Sequence, residues 1–188
     1  MSKVNKLMIV SHPDDETVFG GIELLTNRGE YRVVCLDYYS DKVRKEEFYY
    51  ACKLLGVKEE NIQMYNAVKT KNGYDKKWLD NVLTNELYTE TPWERVVTHN
   101  SHGEYGHKRH IAVHNAVKDL VKGFDNKKVL YEFWNTRLGY NTISYLGFDD
   151  IDSYVDEVSE IIDSAYQSQK KRLVYIDHSY NCLKPVEW

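Results

Sequence analysis

Short apolar runs alternate with amphipathic stretches along this chain. Leu7-Met8-Ile9-Val10 is apolar without interruption, the pattern of a strand buried on both faces. Arg32-Val33-Val34-Cys35-Leu36, Glu94-Arg95-Val96-Val97-Thr98-His99 and Val129-Leu130-Tyr131-Glu132-Phe133-Trp134 repeat the signal, Asn61-Ile62-Gln63-Met64-Tyr65 carries it more weakly, and Leu173-Val174-Tyr175-Ile176 gives a last strand. Between these runs the apolar positions take helical spacing. One helix runs from Thr17 to Leu25, with Gly29 as its stop. A second follows an Asp41 cap, with Val43, Phe48, Ala51, Cys52 and Leu55 on one face and Gly56 at its end. Trp78, Leu79, Val82, Leu83 and Leu87 make a third, closed by Thr91-Pro92, and a fourth runs from about His107 to Lys122. The clearest begins at Asp150, aligns Ile151, Tyr154, Val155, Val158, Ile161, Ile162 and Ala165, and reaches the basic Lys170-Lys171-Arg172, as a helix dipole favours. Lys69–Asp75 and Asn135–Gly147 read as loops, the latter long enough to suggest function. Strands alternating with helices predict an α/β fold with a mostly parallel sheet flanked by helices, three layers in one domain over residues 1–188.

Composition narrows the class. The net charge of -4, with no basic patch interleaved with aromatics, argues against a nucleic-acid partner. No run approaches the ~20 apolar residues of a transmembrane segment, and no apolar stretch of leader length follows the first lysines. Cys35, Cys52 and Cys182 lack CxxC spacing and read as reduced, buried thiols, so a cytoplasmic location is expected. No GxGxxG follows the first strand, which leaves a dinucleotide without its usual cradle.

The chemistry gathers where two strands end. Ser11-His12-Pro13-Asp14-Asp15-Glu16 follows the first strand, at the carboxyl edge where open α/β sheets place their sites. Five of the seven histidines fall between residues 99 and 114, in and after Thr98-His99-Asn100-Ser101-His102-Gly103-Glu104-Tyr105-Gly106-His107-Lys108-Arg109-His110. His107 and His110 share a face at a helix start. His12, Asp14, Asp15, His107 and His110 therefore suit a metal site, and the surplus beyond three ligands suits a hydrolase, which also needs a base and an oxyanion donor. Spacing leaves open which aspartate binds the metal.

His12-Pro13-Asp14-Asp15-Glu16, Gly20-Gly21 and Gly103-Glu104-Tyr105-Gly106-His107-Lys108-Arg109-His110 resemble the motifs of the PIG-L/LmbE-like zinc-dependent de-N-acetylases, over residues 6 to 122. The resemblance implies a Rossmann-like fold and removal of an acetyl group from an N-acetylated amino sugar or its nucleotide, lipid or glycan conjugate. It implies Zn2+, with Fe2+ or another divalent metal as alternatives, held by His12, Asp15 and His110. Asp14 is implied as the general base, and His107 as the cation or donor at the oxyanion. Glu16 is expected to support the motif at a helix start or from behind the ligands, and Glu104 and Tyr105 to shape a turn or to support the ligands from behind. His99, His102, His178 and Arg137 are candidates to touch substrate, and His114 is expected in the core or behind the ligands. Many members carry Pro-Asp where this chain has Lys108-Arg109. The chain is short for the family, so a homo-oligomer completing the pocket is among the expectations. An amidase acting on a thiol conjugate, and a non-catalytic metal-containing α/β binding module, are the rival readings.

Overall fold

The structure is a computed structural model that describes residues 3–90, 92–134, 151–169, 182–186 and 188. Among the described residues it holds a six-stranded sheet ordered β3-β2-β1-β6-β7-β8 and a small two-stranded hairpin, β4-β5. The strands are β1 (Lys6–Val10), β2 (Tyr31–Cys35), β3 (Ile62–Met64), β4 (Lys69–Thr70), β5 (Gly73–Tyr74), β6 (Arg95–Thr98), β7 (Leu130–Trp134) and β8 (Cys182–Pro185). β1 pairs in parallel with β2 and β6, β2 with β3, and β6 with β7. β8 closes the edge antiparallel to β7. The strand order reverses between β1 and β6, and the crevice outside such a reversal is where open α/β sheets bind ligands.

Each strand sorts its side chains by alternation. Met8, Val10, Val33 and Cys35 face one layer, which holds α1 (Asp15–Val18), α2 (Gly21–Thr26), α3 (Lys42–Leu54) and α7 (Ile151–Ala165) through Val18, Ile22, Phe48 and Val158. Leu7, Ile9, Val34 and Leu36 face the other, against Leu79, Val82 and Leu83 of α4 (Lys76–Leu87) and Val113 and Val117 of α6 (Lys108–Val121). Leu7 to Val10 are fully buried, as their unbroken apolar run requires of a central strand covered twice. The three-layer, mostly parallel α/β architecture agrees with the sequence pattern.

Several local features depart from it. The helix expected from Thr17 to Leu25 is two helices broken at Phe19-Gly20. A Cβ at Gly20 would stand 2.5 Å from Met8 Cε and 2.9 Å from the Glu16 carbonyl, so the break lets the chain press onto β1. The expected loop at Lys69–Asp75 contains the β4-β5 hairpin. Asp41 and Asp75 cap α3 and α4 by accepting the amide hydrogens of Arg44 and Trp78. Gly56, at φ 87°, turns the chain out of α3 in a conformation that L side chains rarely adopt. The expected strand Leu173–Ile176, the loop Asn135–Gly147, Arg137 and His178 lie outside the described residues. Cys35 and Cys52 are buried free thiols. Among the described residues no helix is long and apolar enough to cross a membrane.

Candidate metal centre and its pocket

The turn after β1 is the first half of the site. Val10 ends the strand, Pro13 fixes its own φ, and Asp14 sits at φ 115° and ψ -32°. That backbone is costly for a residue with a Cβ, on the order of 1–3 kcal/mol, and is held by surrounding bonds. The Asp14 carbonyl accepts from the amides of Thr17 and Val18, and its own amide donates to Glu16 Oε2 at 3.1 Å. Arg44, from the first turn of α3, donates through Nη2 to the Pro13 carbonyl and to Asp14 Oδ2 at 3.1 Å. The next residue, Asp15, opens α1 and turns its carboxylate back, accepting the His12 amide at 2.8 Å through Oδ2.

The second half comes from β6. Beyond Thr98 the chain forms a tight turn, then α5 (Gly103–Gly106), then α6 with His107 at its N-cap. His110 lies in the first turn of α6 and is fully buried. Three donor atoms meet there. His12 Nδ1 is 3.2 Å from His110 Nε2 and 3.3 Å from Asp15 Oδ2, and His110 Nε2 is 3.4 Å from Asp15 Oδ2. Ligand atoms about 2.0–2.2 Å from a tetrahedral zinc stand roughly 3.3–3.6 Å from one another, so the triangle fits such an ion on its edges alone.

Other sets of donors also converge. His12, His107 and His110 form one cluster, and Asp15, His99 and His110 another. The bonding around His99 removes it from the ligand set: its Nε2 takes the Ser11 amide at 2.9 Å, and its Nδ1 faces Glu104 Oε2 at 3.1 Å. A backbone amide only donates, so His99 Nε2 is an acceptor and the ring is neutral, with its proton on Nδ1 facing Glu104. His107 approaches His12 with a ring separation of 4.8 Å and stands toward the cavity, with Nδ1 buried and unpartnered.

Glu104 orders this half. Its Oε2 lies 2.5 Å from His110 Nδ1, and its Oε1 accepts the Asn100 amide at 2.8 Å. A carboxylate on Nδ1 holds the proton there and turns the lone pair of Nε2 toward Asp15 and His12. Glu104 does this from φ 57° and ψ -62°, a position outside the helical region, with its carboxylate fully buried. Burial works against its charge, but His99 and then the bonds from His110 and His99 bring its pKa down to about 2.

His12 and Asp15 of the triangle line a cavity of about 340 Å³, together with Asp14, Tyr38, Arg44 and His107 among others. Burial, then the Asp15 carboxylate, drive the Asp14 pKa well above the ordinary value, with Arg44 in opposition. Burial also opposes the Asp15 charge, but His110 and the bond from His12 overcome it and hold Asp15 well below. Burial, then His110 and His12, push His107 down to about 4. One carboxylate is thus suited to take a proton while its neighbour stays ionised, beside an imidazole neutral at physiological pH.

The residues expected from sequence, His12, Asp14, Asp15, His107 and His110, therefore come together. His114 lies behind them, with Nδ1 2.8 Å from the His99 carbonyl, and His102 is exposed on the loop. Arg44, Tyr38, Phe19 and Gln169 also line the cavity, and sequence reasoning assigned them no role there. Arg44 was detectable only as the third residue after the Asp41 cap, a place where a solvated arginine looks the same.

Fold and site together define a three-layer α/β protein with a His/Asp cluster able to hold a metal at the switch point of its sheet. Residues 7–121 match the PIG-L family, described as GlcNAc-PI de-N-acetylase, and the chain belongs to that family. It is 32% identical over 196 residues to an uncharacterized protein of Acanthamoeba polyphaga mimivirus, covering 94% of this chain and 78% of that one. It is 27% identical over 130 residues to the N-acetylglucosaminyl-phosphatidylinositol de-N-acetylase of Bos taurus, covering 61% of this chain and 49% of that one. A probable enzyme of the same name from Schizosaccharomyces pombe is 24% identical over 74% of this chain and 60% of its own. The chain thus spans about half to three-fifths of the length of these de-N-acetylases. The crystal structure of the conserved protein TT1542 from Thermus thermophilus shares the fold, with a TM-score of 0.55 at 13% identity over 99% of this chain and 97% of that one.

Proposed function

We propose that this chain is a metal-dependent N-deacetylase acting on an N-acetylated amino sugar or its nucleotide, lipid or glycan conjugate. The observation that carries the reading is the triangle of His12 Nδ1, Asp15 Oδ2 and His110 Nε2, with edges of 3.2 to 3.4 Å, two corners of which, His12 and Asp15, line a cavity together with Asp14 and His107. Family membership supports the acetamide as the bond hydrolysed.

His12, Asp15 and His110 hold the ion in this reading, zinc being the best match to two imidazoles and one carboxylate, with Fe2+ or another divalent metal as alternatives. A divalent ion bound there acidifies a water molecule and polarises the amide carbonyl. Asp14, braced by Arg44 and with its proton affinity raised by burial, takes a proton from the attacking water. His107, neutral at physiological pH, donates its N–H to the carbonyl oxygen as charge gathers on that atom. The C–N bond then breaks, the proton held by Asp14 passes to the nitrogen, and acetate and a free amine leave. Phe19, Tyr38 and Tyr105 give the cavity its aromatic walls and limit water around the reacting amide. The chemistry is that of a single catalytic domain, for which we expect a cytoplasmic location.

The test is acetate release from a panel of N-acetylated sugars, sugar nucleotides, lipid-linked sugars and thiol conjugates, using protein stripped of metal and reloaded with zinc. Release from a sugar-containing member, absent in Asp14→Asn, is the expected result. Release from a thiol conjugate alone would replace the substrate, and zinc bound without any release would replace the catalytic reading with a binding role.

A further inference from the structure

Glu104 holds the proton of His110 on Nδ1, but His12 has no carboxylate at its outer nitrogen. Its Nδ1 faces Asp15 Oδ2 at 3.3 Å and His110 Nε2 at 3.2 Å. An imidazole that offers a lone pair through Nδ1 carries its proton on Nε2, and that N–H needs an acceptor. Among the described residues two side chains reach Nε2: Ser11 Oγ at 3.4 Å and Arg109 Nη1 at 3.5 Å. A guanidinium only donates, so Arg109 meets the proton with one of its own. Ser11 Oγ is left as the acceptor.

Ser11 is fully buried and held from two sides. Its amide donates to His99 Nε2 at 2.9 Å. Its hydroxyl lies 2.6 Å from that of Tyr74, which is also 3.3 Å from the Ser11 carbonyl. Counting protons sets the directions. If Tyr74 donated to Ser11 Oγ, the Ser11 proton would turn to His12 Nε2, which would then be an acceptor with the ring proton on the metal-facing side. If Tyr74 donates to the Ser11 carbonyl, Ser11 donates to Tyr74 and keeps a lone pair for the His12 N–H. In that arrangement every proton has an acceptor, as buried polar groups require. Burial pushes the Tyr74 pKa up, so its hydroxyl keeps the proton this needs. The ring is also fixed in place. Tyr74 ends β5, packs on Trp78 at a ring separation of 5.9 Å, and follows Gly73, where a Cβ would stand 2.9 Å from Ala112 Cβ of α6.

We propose that Tyr74 is a positioning residue for the metal centre: through Ser11 it keeps the His12 proton on Nε2 and the Nδ1 lone pair toward Asp15 and His110. The proposal rests on the reading of His12 as a metal ligand, and it gives the β4-β5 hairpin a part in the site. Arg109 opposes it, because a donor beside Nε2 favours the tautomer whose lone pair lies there.

The experiment is zinc affinity by chelator competition in the parent protein, Tyr74→Phe, Ser11→Ala and the double variant. Urea unfolding and long-range proton–nitrogen NMR of the His12 ring are measured on the metal-free proteins. Tyr74→Phe removes the acceptor of the Ser11 proton and turns that proton toward His12 Nε2, so zinc affinity should fall about tenfold or more. Ser11→Ala already cuts the link, so adding Tyr74→Phe to it should cost less than about twofold. NMR should show the His12 proton on Nε2 in the parent and on Nδ1 in Tyr74→Phe. Zinc affinity in Tyr74→Phe within about twofold of the parent overturns the proposal, as do losses that multiply in the double variant. A lower urea midpoint with an unchanged His12 tautomer also overturns it, since Tyr74 would then only pack the hairpin. A parent chain that binds zinc equally well after His110→Ala overturns the metal reading, and this role with it. A tautomer and zinc affinity that respond as expected, without acetate release from any substrate, overturn the deacetylase reading and leave the role of Tyr74 standing.

Discussion

Glu104→Gln separates a carboxylate that builds the site from one that merely shapes a turn. The substitution keeps the volume and one carbonyl acceptor but removes the charge facing His110 and His99 at 2.5 and 3.1 Å. The ordinary value of 4.5 falls to about 2 in the fold. At about 1.4 kcal/mol per pH unit, that fall is worth at most about 3 kcal/mol at neutral pH, and less with His99 neutral, since a charge on that ring is its largest cause. The sign follows from the direction: the folded state holds the anion more firmly than the unfolded chain. The stabilisation is therefore complete above about 4.5 and drains away as pH falls through about 2. Metal-free Glu104→Gln should unfold in urea with about 1–3 kcal/mol less stability at neutral pH, and its stability should change less between those two values. Because the same carboxylate holds the His110 proton on Nδ1, zinc affinity measured by chelator competition should weaken about 10–100-fold. A variant with zinc affinity within about twofold of the parent, and the same urea midpoint, would refute the assignment.

Asp14→Asn should keep stoichiometric zinc and lose about two to four orders of magnitude in kcat, whereas His110→Ala should lose zinc at equilibrium dialysis; full activity in both would dismantle the role assignment. Glu16, fully buried with its carboxylate accepting from Thr17 and Tyr166, has a pKa raised to about 7, mainly by burial. Its neutral form favours the fold, so its contribution is complete below about 4.5 and is lost as pH rises through about 7. Urea unfolding of the metal-free protein across that window should show a falling stability that Glu16→Gln abolishes, and identical slopes in the two proteins would contradict it. Gly20→Ala should lower stability by about 1–3 kcal/mol, since the Met8 methyl can yield to the new Cβ but the Glu16 carbonyl at 2.9 Å cannot. An unchanged Tm would show that the α1-α2 break relaxes freely.

The parts of the fold that could be read from sequence are those where burial dictates residue type. A strand covered on both faces must be apolar at every position, so β1, β2, β6 and β7 stand out as runs, and the helices between them as stripes. The β4-β5 hairpin could not be read because two-residue strands of Lys-Thr and Gly-Tyr leave no period, and its position is set by packing on α6. The short β8, Cys182-Leu183-Lys184-Pro185, could not either, since a proline on an edge strand erases the usual strand signal. The break at Gly20 depends on the distance to Met8, a contact between separate elements that no local pattern carries.

The site shows the same division at the level of chemistry. Metal-binding side chains such as His and Asp at strand ends can be read from sequence, so His12, Asp14, Asp15, His107 and His110 stand out together as candidates without a choice between the aspartates, and the topology needs only to bring β1 and β6 side by side. The residues that tune them obey a different constraint. Arg44 acts on Asp14 from a helix 30 residues away, and Tyr166 reaches Glu16 from 150 residues away, each by a hydrogen bond that any exposed arginine or core tyrosine could equally lack. Glu104 lies within the histidine-rich segment, but its role depends on a left-handed backbone that directs one carboxylate to two rings. Residue type thus announces which atoms can bind a metal, while the protonation states that make those atoms useful are set by contacts of long sequence separation. For that reason Glu104→Gln, more than the loss of any ligand, tests whether the fold and not the motif makes the site.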